Sequence, residues 1–248
     1  SVLGGLQLFP MDGPAGLLPI EGWPDAVRPD NIHHPRTALV SVENTHNRAG
    51  GRVYPIDRLR EVSRFARDRR LRVHMDGARL ANAFVKTGIP FAEYGALADS
   101  VSFCFSKGLG CPVGSVLMSD APAIARARVW RKRLGGGMRQ AGILAAACLY
   151  ALDHNVARLA EDHDKAARIG RIVESAKGFE LTFPVETNIV IFGSTDPSFS
   201  GDALAASLAK EGILALPFGR FVRMVTHLDI LPEDMARLEK ALPRLLEA

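Results

Sequence analysis

The sequence predicts an α/β fold: a mainly parallel sheet with helices on both faces, followed by a small α+β domain at the C-terminal end. Three observations predict it. Short β-branched runs alternate with stretches of helical periodicity, the pattern of strands joined by crossover helices. Charged residues, Glu43, Asp76 and Lys107, close those runs, and open parallel sheets gather ligands beyond the carboxyl ends of their strands. After Gly135-Gly136-Gly137 the chain changes character, from compact strand–helix units to long helices and then further short strands. Residues 1–155 are therefore read as the large domain and 156–248 as the small one.

The elements follow in order. Residues 37–43 (TALVSVE) read as a strand, and the loop after it is rich in Asn and Gly. Asp57 is placed to cap a helix in which Leu59, Val62, Phe65 and Ala66 recur at helical spacing. Residues 71–75 form a strand ending at Asp76, 78–87 a helix, and 100–105 a strand ending at Lys107. A strand at 115–119 and a helix at 121–134 complete the large sheet. Beyond the triple glycine come an apolar, Ala-rich helix (138–153) and a more polar one (155–177). The small domain takes a strand at 187–192, a helix at 202–210, strands at 213–217 and 221–226, and a final helix begun near Pro232.

Composition bounds the function. With 47% hydrophobic and 23% charged residues the chain can bury an ordinary core. The net charge of +4 is spread among charges of both signs, which favours anionic ligands without requiring nucleic acid. Five cations at 126–133 lack the aromatic interleaving of a nucleic-acid surface and read as a solvated helix face. Cys104, Cys111 and Cys148, an odd number in apolar surroundings, read as buried thiols of a reducing, cytoplasmic compartment, with neither a disulfide framework nor zinc spacing. No run is long and apolar enough to span a membrane. The opening SVLGGLQLF reads as the middle of a domain, so an upstream segment is expected.

The segment SFCFSKGLGCPVG sets Lys107 between an apolar strand and a glycine-rich turn, surroundings that suit a desolvated, nucleophilic amine. Asp76 and Lys107, closing neighbouring strands, would emerge into one crevice. A carboxylate and a lysine so related suit pyridoxal phosphate, the lysine binding its aldehyde and the carboxylate its ring nitrogen. Spacing alone fits equally well a buried Asp–Lys or Asp–Arg pair that ties two strands. Gly77 is read as a sharp turn behind the carboxylate, and Gly108, Gly110 and Gly114 as room for the cofactor near the backbone.

Five blocks carry a resemblance: ENTHNRAGGRVYP, HMDGARLANAFVKTG, DSVSFCFSKGLGCPVGSVL, RKRLGGGMRQAGILAAA and VRMVTHLD. In this order they resemble the low-specificity threonine aldolases, pyridoxal-phosphate enzymes of the aspartate-aminotransferase fold. The likeness extends over essentially the whole chain. It implies that Lys107 carries the cofactor, that Asp76 pairs with the pyridine nitrogen, and that Arg79 lies against the cofactor's 3-oxygen or the substrate carboxylate. Arg223 resembles the arginine that forks onto that carboxylate. Lys132 and Arg139 resemble basic residues brought to the cofactor at a subunit interface.

The reaction implied is retro-aldol cleavage of a β-hydroxy-α-amino acid to glycine and an aldehyde, serving threonine catabolism and glycine formation. Its base is read as a histidine. His33 resembles the histidine that the family sets near the substrate hydroxyl; His46 is the second candidate and reads more readily as a structural group in its Asn-rich turn. The resemblance also implies a homodimer or homotetramer, no metal, and partners limited to the small amino-acid substrate. It further places a phosphate-cradling helix start and a ring-stacking histidine upstream of residue 1. Other fold-type-I enzymes (β-eliminating lyases, transaminases, hydroxymethyltransferases) and a non-catalytic remnant remain alternatives, and the preference between threonine and allo-threonine is open.

Overall fold

The computed structural model describes residues 3–19 and 22–245. In chain order the first part runs through α1 (Trp23–Ala26), β1 (Leu39–Glu43), α2 (Ile56–Asp68), β2 (Arg72–Gly77), α3 (Leu80–Thr87), α4 (Phe91–Gly95), β3 (Ser100–Cys104), β4 (Ser115–Ser119), α5 (Ala121–Arg133) and α6 (Gly142–His154). The long α7 (Leu159–Ser175) leads into β5 (Phe179–Leu181), β6 (Ile189–Ser194), α8 (Gly201–Lys210), β7 (Leu216–Phe218), β8 (Phe221–Val225) and α9 (Pro232–Ala241).

The strands form two sheets, ordered β1-β2-β3-β4 and β5-β6-β8-β7. In the first, β1, β2 and β3 are parallel and joined in turn by two helical crossovers, and β4 runs antiparallel to β3. The connection explains the reversal. A parallel strand needs a crossover of about a dozen residues or more, whereas the segment between β3 and β4 doubles back at once, with Phe105 N–H donating to the Gly114 carbonyl at 3.0 Å.

Period-two alternation gives this sheet two unlike faces. Val42, Met75, Val101 and Phe103 are buried on one face and build the first core with Leu59, Val62, Leu80 and Tyr94, while Val73 of the same face packs with Ala66 and Leu71. Between them, two polar rows cross the sheet on the other face. Ser41 is level with His74 and Ser100, and Glu43 is level with Asp76 and Ser102. The second sheet is antiparallel throughout, with β6 buried along its whole length. Ile169, Ile172 and Val173 of α7 and Leu204 and Leu208 of α8 share its core.

Several details differ from the expectations. Pro55, not Asp57, occupies the N-cap of α2; Asp57 falls in the first turn and pairs with Arg60 at 2.7 Å. Proline's fixed φ is preorganised for the chain entering a helix, and this moves the start upstream of the acid. The Ala-rich helix begins at Gly142 instead of 138, after a turn with Gly135 at φ +84°. Strand β5 was not anticipated. Gly77 has no left-handed φ and makes no sharp turn: it is glycine because a Cβ there would lie 2.8 Å from the Ser102 carbonyl oxygen of β3. Of the three unpaired cysteines only Cys111 is fully buried, and its thiol is pushed up by burial and then by neighbouring Cys148; Cys104 and Cys148 are half-buried.

Candidate active site

Asp76 stands at the carboxyl end of β2, between Glu43 of β1 and Ser102 of β3. Its Oδ1 accepts the Ala78 N–H at 3.0 Å and faces the Ser102 hydroxyl at 3.4 Å. Among the described residues its Oδ2 takes no protein hydrogen bond, so one oxygen of a half-buried carboxylate is left for a ligand.

Glu43 organises the turn that follows β1. Its Oε1 accepts the Asn47 N–H at 3.0 Å, and its Oε2 lies 3.7 Å from His46 Nε2. His46 Nδ1 accepts the Ala49 N–H at 3.2 Å, so that nitrogen is the unprotonated one and Nε2 carries the hydrogen toward Glu43. The backbone of Gly16 lies so close over the imidazole that a Cβ would meet it at 2.5 Å. His46 thus has Nδ1 occupied inside its own turn and Nε2 beside the Glu43 carboxylate.

Two arginines converge on the same edge. Arg223, on β8 of the second sheet, donates from Nη1 to Asn47 Oδ1. Arg79, at the start of α3, is held below the usual arginine range, first by burial and next by the Arg223 guanidinium; Glu43, Cys104 and Asp76 oppose that shift. Among the described residues the Arg79 guanidinium makes no side-chain hydrogen bond. A half-buried cation beside a like charge, with its donors unspent, suits an incoming anion.

The other expected residues stand elsewhere in the chain. Lys107 lies three residues past the end of β3 in the turn 105–110, and its side chain is exposed. This corrects the expectation of a desolvated strand-end amine: β3 stops at Cys104, and the strand's burial does not extend to the turn. Glycines of that turn approach their own chain, a Cβ on Gly108 meeting Leu159 at 2.7 Å and one on Gly110 meeting Leu228 at 2.8 Å. His33 sits in an exposed turn, where its N–H donates to Asn31 Oδ1 at 2.9 Å. Lys132 near the end of α5 and Arg139 in the following loop are both exposed. Among the described residues no hydrogen bond or ion pair joins Lys107, His33, Lys132 or Arg139 to Asp76, Arg79 or Arg223. Glu43 and Asn47, which order the edge and hold Arg223, were not singled out as a pair; the only signal was their position at a strand's carboxyl end.

This donor set fits pyridoxal phosphate. A carboxylate with a spare oxygen, a primary amine on the turn after the next parallel strand, and two arginines are the groups that its ring nitrogen, its aldehyde and a substrate carboxylate require. No group of three or more metal-ligating side chains occurs among the described residues. No helix among them is long and apolar enough to cross a membrane.

Comparison with known proteins bears out the resemblance. The family model for beta-eliminating lyases matches residues 1–195. The chain is 44% identical over 239 residues to the low specificity L-threonine aldolase of Escherichia coli K12, covering 96% of this chain and 69% of that one. It is 42% identical to a probable low-specificity L-threonine aldolase of Arabidopsis thaliana, over 83% of this chain and 59% of that protein. In structure it is similar to the threonine aldolase of Leishmania major, with a TM-score of 0.79 at 21% identity, covering 94% of this chain and 69% of the other. That last likeness shows the same fold.

Proposed function

The chain belongs to the beta-eliminating lyase family, and we propose that its protein is a pyridoxal-phosphate-dependent threonine aldolase cleaving L-threonine and L-allo-threonine to glycine and acetaldehyde. The observation that carries this reading is the carboxyl edge of the first sheet, where Asp76 with its free oxygen adjoins Arg79 and Arg223.

When bound, the cofactor supplies an electron sink for the pair released at Cα as the Cα–Cβ bond breaks. Asp76 would pair with the ring nitrogen and hold a proton there. Lys107 would supply the primary amine that holds the cofactor through its aldehyde. Arg223 offers a planar fork to the substrate carboxylate, with Asn47 fixing its orientation, and Arg79 adds a second cation on the same side. His33 is the proposed base for the β-hydroxyl proton, since its imidazole has no protein hydrogen bond among the described residues while His46 Nδ1 already accepts the Ala49 N–H.

We further assign the protein to a homodimer or homotetramer. The support is a set of exposed apolar side chains in neighbouring elements: Val116, Leu117 and Met118 of β4, Trp130 of α5, and Ile143 and Leu149 of α6 are each more than two-fifths exposed. Large apolar side chains left exposed in such number suit an association surface, and Lys132 and Arg139, exposed between α5 and α6, suit a reach toward a neighbouring copy's cofactor. Three unpaired thiols suit a reducing, cytoplasmic setting.

The test is to mix the protein with pyridoxal phosphate, reduce with borohydride and map the modified peptide, then assay threonine for acetaldehyde and glycine. A label on Lys107 that K107A removes, together with cleavage, supports the reading; scattered labels and no cleavage end it. The family's own description favours one second reading, β-elimination, which the same preparation tests with a substrate bearing a leaving group at Cβ.

A further inference from the structure

We infer that Arg158 is a positioning residue for the Lys107 turn: clamped by the buried Asp162 carboxylate, it grips the Gly108 carbonyl and so fixes where the lysine amine emerges. The inference rests on the reading of Lys107 as the cofactor-bearing lysine.

Lys107 is exposed, and its side chain makes no hydrogen bond or ion pair among the described residues, so its backbone must set its position. That backbone is inherently loose, with Gly108 and Gly110 on its C-terminal side and Gly110 at φ +75°. Inside the turn, Gly110 N–H donates to the Lys107 carbonyl at 2.9 Å and Cys111 N–H to the Phe105 carbonyl at 3.2 Å. Two further bonds arrive from the junction of α6 and α7. Asn155 Nδ2 donates to the Leu109 carbonyl at 2.8 Å, and Arg158 Nη2 to the Gly108 carbonyl at 2.9 Å.

Arg158 is itself locked. Its two terminal nitrogens lie 3.0 and 3.1 Å from the two oxygens of Asp162, a side chain with no exposed surface. A buried ion pair contributes little net stability beyond an apolar pair of the same shape. What a planar guanidinium does supply is three acceptors held in fixed relation. The Asp162 carbonyl in turn accepts the Thr226 hydroxyl at 2.6 Å, three positions along the chain from Arg223. One clamp therefore references the lysine turn to the strand that carries the proposed carboxylate-binding arginine. Leu159, the next residue, meets the turn at Gly108 and seats it against α7.

Amide hydrogen exchange in the full-length protein without cofactor, compared for wild type, R158M and R158K, tests this. In R158M the Gly110 and Cys111 amides should exchange about tenfold faster or more, as expected for loss of a charge-assisted bond, while Val73 and Met75 of β2 stay within about twofold. Borohydride-trapped pyridoxal phosphate at Lys107 should fall in parallel. R158K keeps the charge but cannot bond all three acceptors, so it should lie between the two. If R158M does not fold, R158K decides on the same amides. Acceleration spread evenly over β2 and the turn, or none at Gly110, overturns the inference. Wild-type protein that takes no label at Lys107 instead overturns the cofactor reading, and the exchange result then stands by itself.

Discussion

Arg223 and Asn47 are joined by a hydrogen bond across 176 positions of sequence, which brings β8 of the second sheet to the carboxyl edge of the first. Asn47 is held in turn by Glu43 through its own N–H. The orientation of one arginine thus depends on a turn belonging to the opposite sheet, and under the proposed function the pair would link substrate binding to how the two sheets meet.

The Asn47–Arg223 bond predicts graded effects on binding. R223K keeps the charge but loses the fork, and kcat/KM for threonine should fall about 10- to 100-fold, mostly through KM, on the scale of a charge-assisted hydrogen bond. N47A should raise KM by a smaller factor and leave kcat nearly unchanged. Steady-state kinetics with threonine checks both; a loss confined to kcat in N47A would contradict the assigned role.

Asp76 should matter far more to chemistry than to folding. D76N leaves an amide oxygen that can still accept the Ala78 N–H, so the thermal midpoint should barely move. The same change would remove the carboxylate proposed to hold the ring-nitrogen proton, and kcat should drop about 10²-fold or more. Paired melting and turnover measurements separate the two effects.

His163 gives the fold a pH dependence of definite sign. Asn82 Nδ2 lies 3.1 Å from its Nε2 and donates to the neutral ring, while burial first and Lys86 second press the imidazole below the usual histidine value. A folded-state value below the unfolded one means that the stabilisation is complete above about pH 6.5. It is lost as the pH falls through the folded-state value. Urea midpoints between pH 8 and pH 5 should therefore decline for the wild type, and decline less for H163Q. Parallel curves would show that His163 does not contribute.

Gly77→Ala should lower stability by about 1–3 kcal/mol, because its Cβ has no room against the Ser102 carbonyl and the β2–β3 pairing must open. Gly95→Ala is the control. Nothing lies within 4 Å of that Cβ, its φ is not left-handed, and the change should be neutral or slightly stabilising. Equal losses at both sites would rule out steric crowding as the cause at Gly77.

Much of this architecture is legible in the chain because strand alternation ends on chemistry: the apolar period in RVHM stops at Asp76, and TALVSV stops at Glu43. What was not legible has physical reasons. Strand β5 is three residues long and exists through its pairing with β6, so no local period reveals it. The direction of β4 depends on how tightly the turn after Phe105 closes, which composition does not encode. Exposure of Lys107 could not be read from flanking phenylalanines, since Phe103 and Phe105 point their own rings into the core without covering the next turn. The Arg223–Asn47 and Arg158–Gly108 contacts join distant segments, and no short-range pattern marks them.

The two-faced sheet separates positions that can be redesigned from positions that pack. Positions 41, 100, 102 and 104 interleave with core positions 42, 101 and 103 along the strands, so an engineer seeking altered substrate choice can diversify one set while the packed set stays untouched. Libraries built on that parity would retain folded members at high frequency, and selection could then act on chemistry instead of on survival of the scaffold.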